Sequence, residues 1–281
     1  MQETRHASST DMAIESIESR LADAAFGSSP GSWPLPTATT PRQLWLRAVA
    51  AGGQGRYGSA YTDLELLRRR VPAGRLASLA HSTHGSFLRQ LGWHTLARGW
   101  DGHAMALAEA DPEARADALI GLAADALGIG RFAVSATLLT RADAVLDAAG
   151  LPADVANRLA VRRGWVAAEL AMFSGEAATA VDCAQEAAEL ARAGGSARHQ
   201  VKSEVVLAAA LCSAGTAERA RGVGEEAMAT TGRLDLIPLR WALACLLIDI
   251  GSVTFSTRQL REIRDICADQ IRRAGGTWRP A

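Results

Sequence analysis

The chain has 281 residues, of which 48% are apolar and only 5% aromatic, and its formal net charge at pH 7 is zero. Lysine and arginine form no long run, which argues against nucleic acid or an anionic membrane surface as the main partner. No apolar stretch reaches the roughly 20 residues that span a bilayer, and residues 1–16 lack the apolar core of a signal peptide. We therefore expect a soluble, cytoplasmic protein.

Alanine, leucine and arginine dominate the composition, and alternating strand-like runs are absent. Since these residues are good helix formers, the sequence predicts an all-α fold in which small side chains allow close packing. The scarcity of lysine indicates a GC-rich coding bias, typical of some bacteria. The four cysteines form no CxxC pair, which predicts reduced thiols and no zinc site. They are Cys183, Cys212, Cys245 and Cys267.

The N-terminal segment is predicted to be an arm. Asp11 is a candidate helix cap, and residues 11–26 then present an apolar side. That side consists of Ile14, Ile17, Leu21 and Ala24. This helix either docks on the first repeat or serves as a peptide that binds a partner. Residues 27–41 contain three interior prolines, as linkers do, so we expect residues 1–40 to form a flexible arm that Trp33 anchors.

Residues 116–149 predict two helices with a break at Gly128–Gly130, because apolar and small residues recur there at offsets of three and four. This hairpin recurs along the chain. Its turn glycines are Gly55, Gly92, Gly130, Gly175, Gly215 and Gly251. Because one hairpin cannot bury both of its faces alone, the repetition predicts a solenoid in which each unit packs on the next.

The units share a register of mostly small residues around each turn glycine. Seven residues before it stand Ala48, Gly85, Ala123, Ala168, Ala208 and Ala244. Five residues after it stand Ala60, Ala97, Ser135, Ala180, Ala220 and Ser256. Twelve residues after it stand Leu67, Ala104, Ala142, Ala187, Ala227 and Ile263. Since helices approach closely only where side chains are small, these positions are predicted to be the contacts between helices.

With this register the chain resembles the tetratricopeptide repeat, a family with small residues at three helix positions, a turn glycine and an aromatic residue two positions later. Gly55-Arg56-Tyr57 and Gly130-Arg131-Phe132 match the turn and the aromatic residue. The units here are longer than the family's repeat. The resemblance implies an all-α, right-handed α-solenoid of about six antiparallel helix pairs over residues 41–274, followed by a tail at 275–281.

Four histidines fall in the second repeat, but no pattern typical of a catalytic site accompanies them. His81 and His84 are three residues apart and share a helix face. The register places His94 between the helices and His103 near the far end of its helix, so the four are not expected to converge on a metal. We therefore predict a protein without catalytic residues, bound metal or cofactor.

Three tryptophans occupy equivalent positions, ten residues before a turn glycine. The resemblance implies that this position faces the concave groove, where the family commonly binds peptides; the alternative is that these rings pack between adjacent helices. The same register places charged side chains in the groove. The predicted partner-binding residues are Trp45, Arg89, Arg162, Trp165, Glu169, Lys202 and Trp241. Tryptophan and arginine are common anchors of protein interfaces, and the cations suit a peptide with acidic groups.

Two functions are compatible with these features. The first is a non-enzymatic scaffold or adaptor that binds a partner protein or peptide in the concave groove. The alternative is a sensory or regulatory module whose superhelix closes on a small molecule or signalling peptide, since similar helical repeats occur in bacterial regulators. The terminal faces of a solenoid need a cover, which a second copy of the chain can provide in a homodimer.

Overall fold

The structure is a computed structural model that describes residues 9–280, and this range contains α-helices and no strand. The helices are α1 Ser9–Phe26, α2 Pro41–Gly53, α3 Tyr57–Arg70, α4 Arg75–Gln90, α5 His94–Leu107, α6 Pro112–Gly128, α7 Phe132–Ala148, α8 Ala153–Phe173, α9 Ala177–Ala193, α10 Ala197–Ser213, α11 Ala217–Arg233, α12 Ile237–Ile250 and α13 Thr257–Arg273. The predicted all-α fold is confirmed.

The helices pack in series. Each helix contacts its neighbour in the chain, and from α2 onwards each even-numbered helix also contacts the next even-numbered one. The even-numbered helices therefore form a continuous layer, against which the odd-numbered helices pack. This arrangement confirms a helical-repeat architecture. Within the described range, no helix is both long and apolar enough to cross a membrane, and all four cysteines are free.

All six aligned turn glycines adopt a positive φ, between +75° and +88°. A side chain with a Cβ is strained in this conformation, so glycine is required by the backbone at the end of each even-numbered helix. In the first five turns the N–H of the following residue donates to the carbonyl five positions earlier, at 2.8–2.9 Å. This bond is the Schellman closure, and it satisfies a carbonyl that the helix end would otherwise leave unpaired.

The predicted packing positions are buried in five of the six units. Eleven of their alanines have no exposed surface: Ala48, Ala60, Ala97, Ala104, Ala123, Ala142, Ala168, Ala180, Ala208, Ala220 and Ala227. A larger side chain at any of them would push apart two helices, because the interior has no room for additional atoms.

The sixth unit departs from the predicted register. Ser256 is exposed and caps α13, where it accepts a hydrogen bond from the N–H of Gln259. The connection is longer here, since α13 begins six residues after Gly251 rather than two residues after the glycine as in the other units. The packed positions shift accordingly, to Leu260 and Cys267, which are 1% and 2% exposed. The prediction that Ser256 is a packing position is therefore wrong.

The N-terminal helix docks on the repeats. Leu21 and Ala24 of its predicted apolar side are buried, and α1 contacts α2 and also α10. The segment after α1 is held beside both of these helices, since the N–H of Ala197 donates to the carbonyl of Gly27 at 3.0 Å and Gln54 Nε2 donates to Pro30 O at 2.8 Å. Helix α1 and the segment after it thus connect the first helix pair, α2–α3, to the fifth, α10–α11.

The C-terminal residues return to the first two units. The N–H of Gly58 donates to the carbonyl of Ala274 at 2.7 Å, and the N–H of Arg279 donates to the carbonyl of Leu91 at 2.9 Å. Trp93 Nε1 also donates to the carbonyl of Thr277, at 2.7 Å. The series of helices therefore closes on itself, with its end beside its beginning.

Glu225 organises the long connection between α12 and α13. Its carboxylate accepts hydrogen bonds from the N–H groups of Val253 and Thr254, at 2.8 and 3.2 Å, and from the hydroxyls of Ser252 and Thr254. Burial of the carboxylate favours its neutral form, but these hydrogen bonds outweigh that effect and lower the pKa of Glu225 from 4.5 to about 2. The ionised form is therefore the one that stabilises the connection.

Replacing Glu225 by Gln should lower the free energy of unfolding at pH 7 by about 1–2 kcal/mol, because hydrogen bonds to a charged acceptor are lost. The contribution of a carboxylate with a lowered pKa is complete above pH 4.5 and disappears as the pH falls towards 2. Urea unfolding at pH 7 and pH 3 should therefore show a smaller difference between the two proteins at pH 3. Glu226→Gln, on an exposed neighbour, is the control, and an equal effect of both substitutions would contradict the assignment.

Candidate functional site

The even-numbered helices line a partly open cavity of about 370 Å³, which we call the central cavity. Residues from all six helices α2, α4, α6, α8, α10 and α12 line it, together with His94 of α5. Six of the seven predicted groove residues meet there: Arg89, Arg162, Trp165, Glu169, Lys202 and Trp241. These six side chains come from four helices and line one cavity, and their role in binding a partner stays a prediction.

A second space of about 420 Å³, the α1 cavity, lies between α1 and the first turns of the even-numbered helices. The seventh predicted groove residue, Trp45, lines this cavity instead. Phe26 at the end of α1 packs on Trp45 and on His199, with ring centroids 5.4 and 6.0 Å apart. Since His199 lines both cavities, the end of α1 contributes to the wall between them.

Arg89 belongs to a buried ion network. Its guanidinium pairs with Asp125 at 3.0 Å and also with Asp101, and both carboxylates are fully buried. Asp101 of α5 reaches this position because it faces Gly85 and Gly121, where a Cβ would collide with its carboxylate. Burial raises the pKa of Asp101 to about 8, a rise that Arg89 opposes and Asp125 reinforces. Arg89 therefore has its charge compensated within the fold.

A second network joins α6 to α8. Arg158 pairs with Glu113 at 2.8 Å and with Asp117 at 3.4 Å, and Arg162 lies 3.2 Å from the same Asp117 oxygen. Burial favours the neutral form of Asp117, but the two arginines and a hydrogen bond from Ser82 outweigh this and lower its pKa. Two guanidinium groups thus share the charge of Asp117.

Arg198 has no such partner. Its Nη2 donates to the carbonyl of Ala25 at 3.2 Å, its Nε is buried without a hydrogen-bond acceptor, and it forms no ion pair with a carboxylate of residues 16–280. Burial lowers the pKa of Arg198 to about 10, and the nearby positive charges of Arg162 and Arg158 contribute to the fall. A pKa of this size still leaves the side chain charged at neutral pH.

Uncharged and paired groups complete the wall. Burial lowers the pKa of His199 well below 6.5, with further lowering by the neighbouring arginines, so its ring is neutral at pH 7. Lys202 lies 3.4 Å from Glu169 and 5.8 Å from the centre of the Trp165 ring. Trp241 packs on Trp278 of the C-terminal tail, with ring centroids 4.3 Å apart.

Two of the aligned tryptophans use their N–H groups in packing. Trp45 Nε1 donates to Thr83 Oγ1 at 3.1 Å and Trp165 Nε1 donates to Ser203 Oγ at 2.8 Å, in each case on the next even-numbered helix. Trp165 nevertheless remains at the surface of the central cavity. Both interpretations offered by the sequence therefore apply to Trp165, which packs between helices with one edge and borders the cavity with the rest of its ring.

The four histidines divide into two places. His84 stacks on Trp100 with ring centroids 3.7 Å apart. His81 lies 5.4 Å from the same tryptophan and 6.1 Å from His103. His94 is separate and lines the central cavity. The sequence did not predict the proximity of His81 and His103. Among the described residues, no three potential ligands form a group that could hold a metal.

Sequence reasoning missed Arg198, although a signal for it was present. Arg162 and Lys202 each lie 13 residues before a turn glycine, and one helical turn earlier, at 17 residues, stand Arg158 and Arg198. Extending the register by that turn would have found both arginines. Asp101 carried no such signal, because it reaches the interior from an odd-numbered helix by way of two glycines on other helices.

Replacing Asp101 by Asn should make the stability of the protein less dependent on pH. A carboxyl group with a raised pKa holds its proton in the folded state and loses it on unfolding, so its contribution falls as the pH rises from about 4 to 8. We define the difference as the free energy of unfolding of the wild type minus that of Asp101→Asn. This difference should therefore fall by about 1 kcal/mol per pH unit between pH 5 and pH 7.

Urea unfolding at pH 5, 6 and 7 measures this difference, with Asp147→Asn as the exposed control. If the wild type instead gained stability over Asp101→Asn as the pH rose, Asp101 would be ionised in the folded protein and the assignment would be wrong.

Comparison with protein-family models and with curated proteins found no match to this chain. Its function is therefore inferred from the chemistry of the central cavity. That cavity combines aromatic surface, paired charges and the partly buried guanidinium of Arg198, which pairs with no carboxylate of residues 16–280.

Proposed function

We propose that this protein is a non-enzymatic regulatory module that encloses a small molecule in the central cavity. In this proposal the helices form a right-handed superhelix of about six pairs, similar to the tetratricopeptide repeat. The observation that carries the proposal is closure: α1 packs on α2 and α10, and one of the two spaces left beside the even-numbered layer is a cavity of about 370 Å³. Volumes of roughly 300–1,000 Å³ are typical of small-molecule sites.

The contacts of α1 support a small molecule over a peptide. A partner helix has a diameter of about 10–12 Å, and the corresponding place beside α2 is taken by α1 itself. Trp45, which the sequence assigned to partner binding, is 6% exposed and is covered by Phe26. A ligand that fits beside these contacts, without displacing them, has to be small.

Binding without catalysis is the second part of the proposal. Three carboxylates around the cavity are held by cations: Asp125 by Arg89, Asp117 by Arg158 and Arg162, and Glu169 by Lys202. Asp101, which keeps its proton in the folded state, lies against Arg89 and is fully buried. Groups held in this way are poor candidates for proton transfer, because a general acid or base must be free to reach the substrate. The free thiols support a reducing, cytoplasmic location.

The adaptor function that the sequence favoured stays a prediction, as does a homodimer. An adaptor that binds its partner in the concave groove requires α1 to leave its place on α2 and α10. That displacement would expose Leu21 and Ala24, which are buried in the closed form. The two functions therefore differ in a measurable way. Binding of a small molecule requires the central cavity, whereas the adaptor function requires the groove to open.

Replacing Ala124 by Phe tests the cavity directly. Ala124 lines the central cavity from α6, so a phenyl ring there fills the space without changing any charge. We expect compounds from a library of small metabolites to raise the melting temperature of the wild type, and to have no effect on Ala124→Phe. Ala136→Phe, at an exposed position of α7, should respond like the wild type.

A library that raises the melting temperature of neither the wild type nor Ala136→Phe would contradict the small-molecule proposal. If a purified partner protein bound the wild type and Ala124→Phe equally, the adaptor function would be favoured instead.

A further inference from the structure

We infer that the central cavity takes a ligand with one anionic group, a carboxylate or a phosphate on a flat apolar body, and that Arg198 binds this group. The inference rests on the proposed function and adds the chemical class of the ligand. Three features of the cavity support it: the distribution of charge around the cavity, the geometry of Arg198, and the aromatic surface beside it.

The cations that line the central cavity differ in whether they form an ion pair. Arg89, Arg162 and Lys202 each pair with a carboxylate of the described residues. Arg198 pairs with none and has two further positive groups, Arg158 and Arg162, in its vicinity. A buried cation without a counter-ion is unfavourable, because the surroundings do not replace the water that solvates it. An anion in the cavity would remove this cost.

Arg198 is also held so that it can receive an anion. One N–H of its guanidinium donates to Ala25 O at 3.2 Å, which fixes the group at the end of α1. Its Nε is buried and has no acceptor, and the side chain borders the central cavity. A guanidinium fixed in this way suits a carboxylate or phosphate, which accepts charge-assisted hydrogen bonds from adjacent N–H groups.

The rest of the cavity specifies the body and the charge of the ligand. Trp165 and Trp241 border it together with Ile120 and Leu239, and such surfaces favour a flat apolar group. Glu169, which lies on α8 as Trp165 does, also lines the cavity and is already paired with Lys202 at 3.4 Å. A second anionic group would face this carboxylate, so a ligand with a single anionic group is favoured.

The test compares probes that differ in charge. Indole-3-acetate, phenylacetate and phenyl phosphate are the anions, and indole-3-acetamide and phenylacetamide are their neutral counterparts, all at one ionic strength. We expect at least one anion to raise the melting temperature of the full-length protein by about 3 °C or more at millimolar concentration. The amides should shift it by less than about 1 °C under the same conditions.

Arg198→Met should abolish the response to the anion and leave the ligand-free protein at least as stable as the wild type, because an uncompensated buried charge is removed. Arg192→Met, at an exposed position of α9, is the matched control and should respond normally. Should Arg198→Met fail to fold, Arg198→Gln provides the same comparison with a polar side chain, and binding should weaken at least tenfold.

Equal shifts by anions and amides, or an unchanged response in the Arg198 variants, would overturn this inference and leave the small-molecule proposal standing. The absence of a shift with every anion would also overturn it. The Ala124→Phe screen decides the proposed function separately, since filling the cavity blocks neutral and charged ligands alike.

Discussion

The close approach of successive helices is the constraint on which the rest of this structure depends. It is achieved by alanines that have no exposed surface and by turn glycines with φ between +75° and +88°. The alanines let two helices meet without bulky side chains between them, and the glycines let the chain reverse within a few residues. With so few aromatic residues, the hydrophobic stabilisation comes from many small contacts rather than from a few large side chains.

The close packing of the helices also determines how charged side chains between them are paired. Helices that lie this close leave little room for water, so polar side chains on their inner faces must find partners within the protein. Arg89 pairs with Asp101 and Asp125, and Arg158 and Arg162 pair with Asp117, so each of these charges has an oppositely charged neighbour. Among the cations of the central cavity, Arg198 differs in forming no ion pair with a described carboxylate, which is the basis for proposing an anionic ligand.

Closure of the helix series turns a groove into a cavity. Two segments achieve it, α1 with the residues after it and the residues after α13, through main-chain hydrogen bonds between distant parts of the chain. Arg198 links one of these segments to the cavity, because it donates to Ala25 in the last turn of α1 while lining the central cavity. A ligand that binds Arg198 would therefore lie next to the hydrogen bond that holds the end of α1 in place.

The sequence by itself determined the helices, the turns and the side of each helix that is buried, because these depend on local spacing and on the backbone preferences of glycine. That is also why six predicted groove residues, from Arg89 to Trp241, line one cavity, and why the sixth unit failed, where four extra residues shifted the register to Leu260 and Cys267. Only the tertiary structure decided that α1 packs across the groove, that Trp45 is covered by Phe26, and that Arg198 Nε has no acceptor among the described residues. Those features depend on contacts between residues far apart in the chain, such as Gly27 with Ala197 and Gly58 with Ala274, and no periodicity of the sequence specifies which distant segments meet.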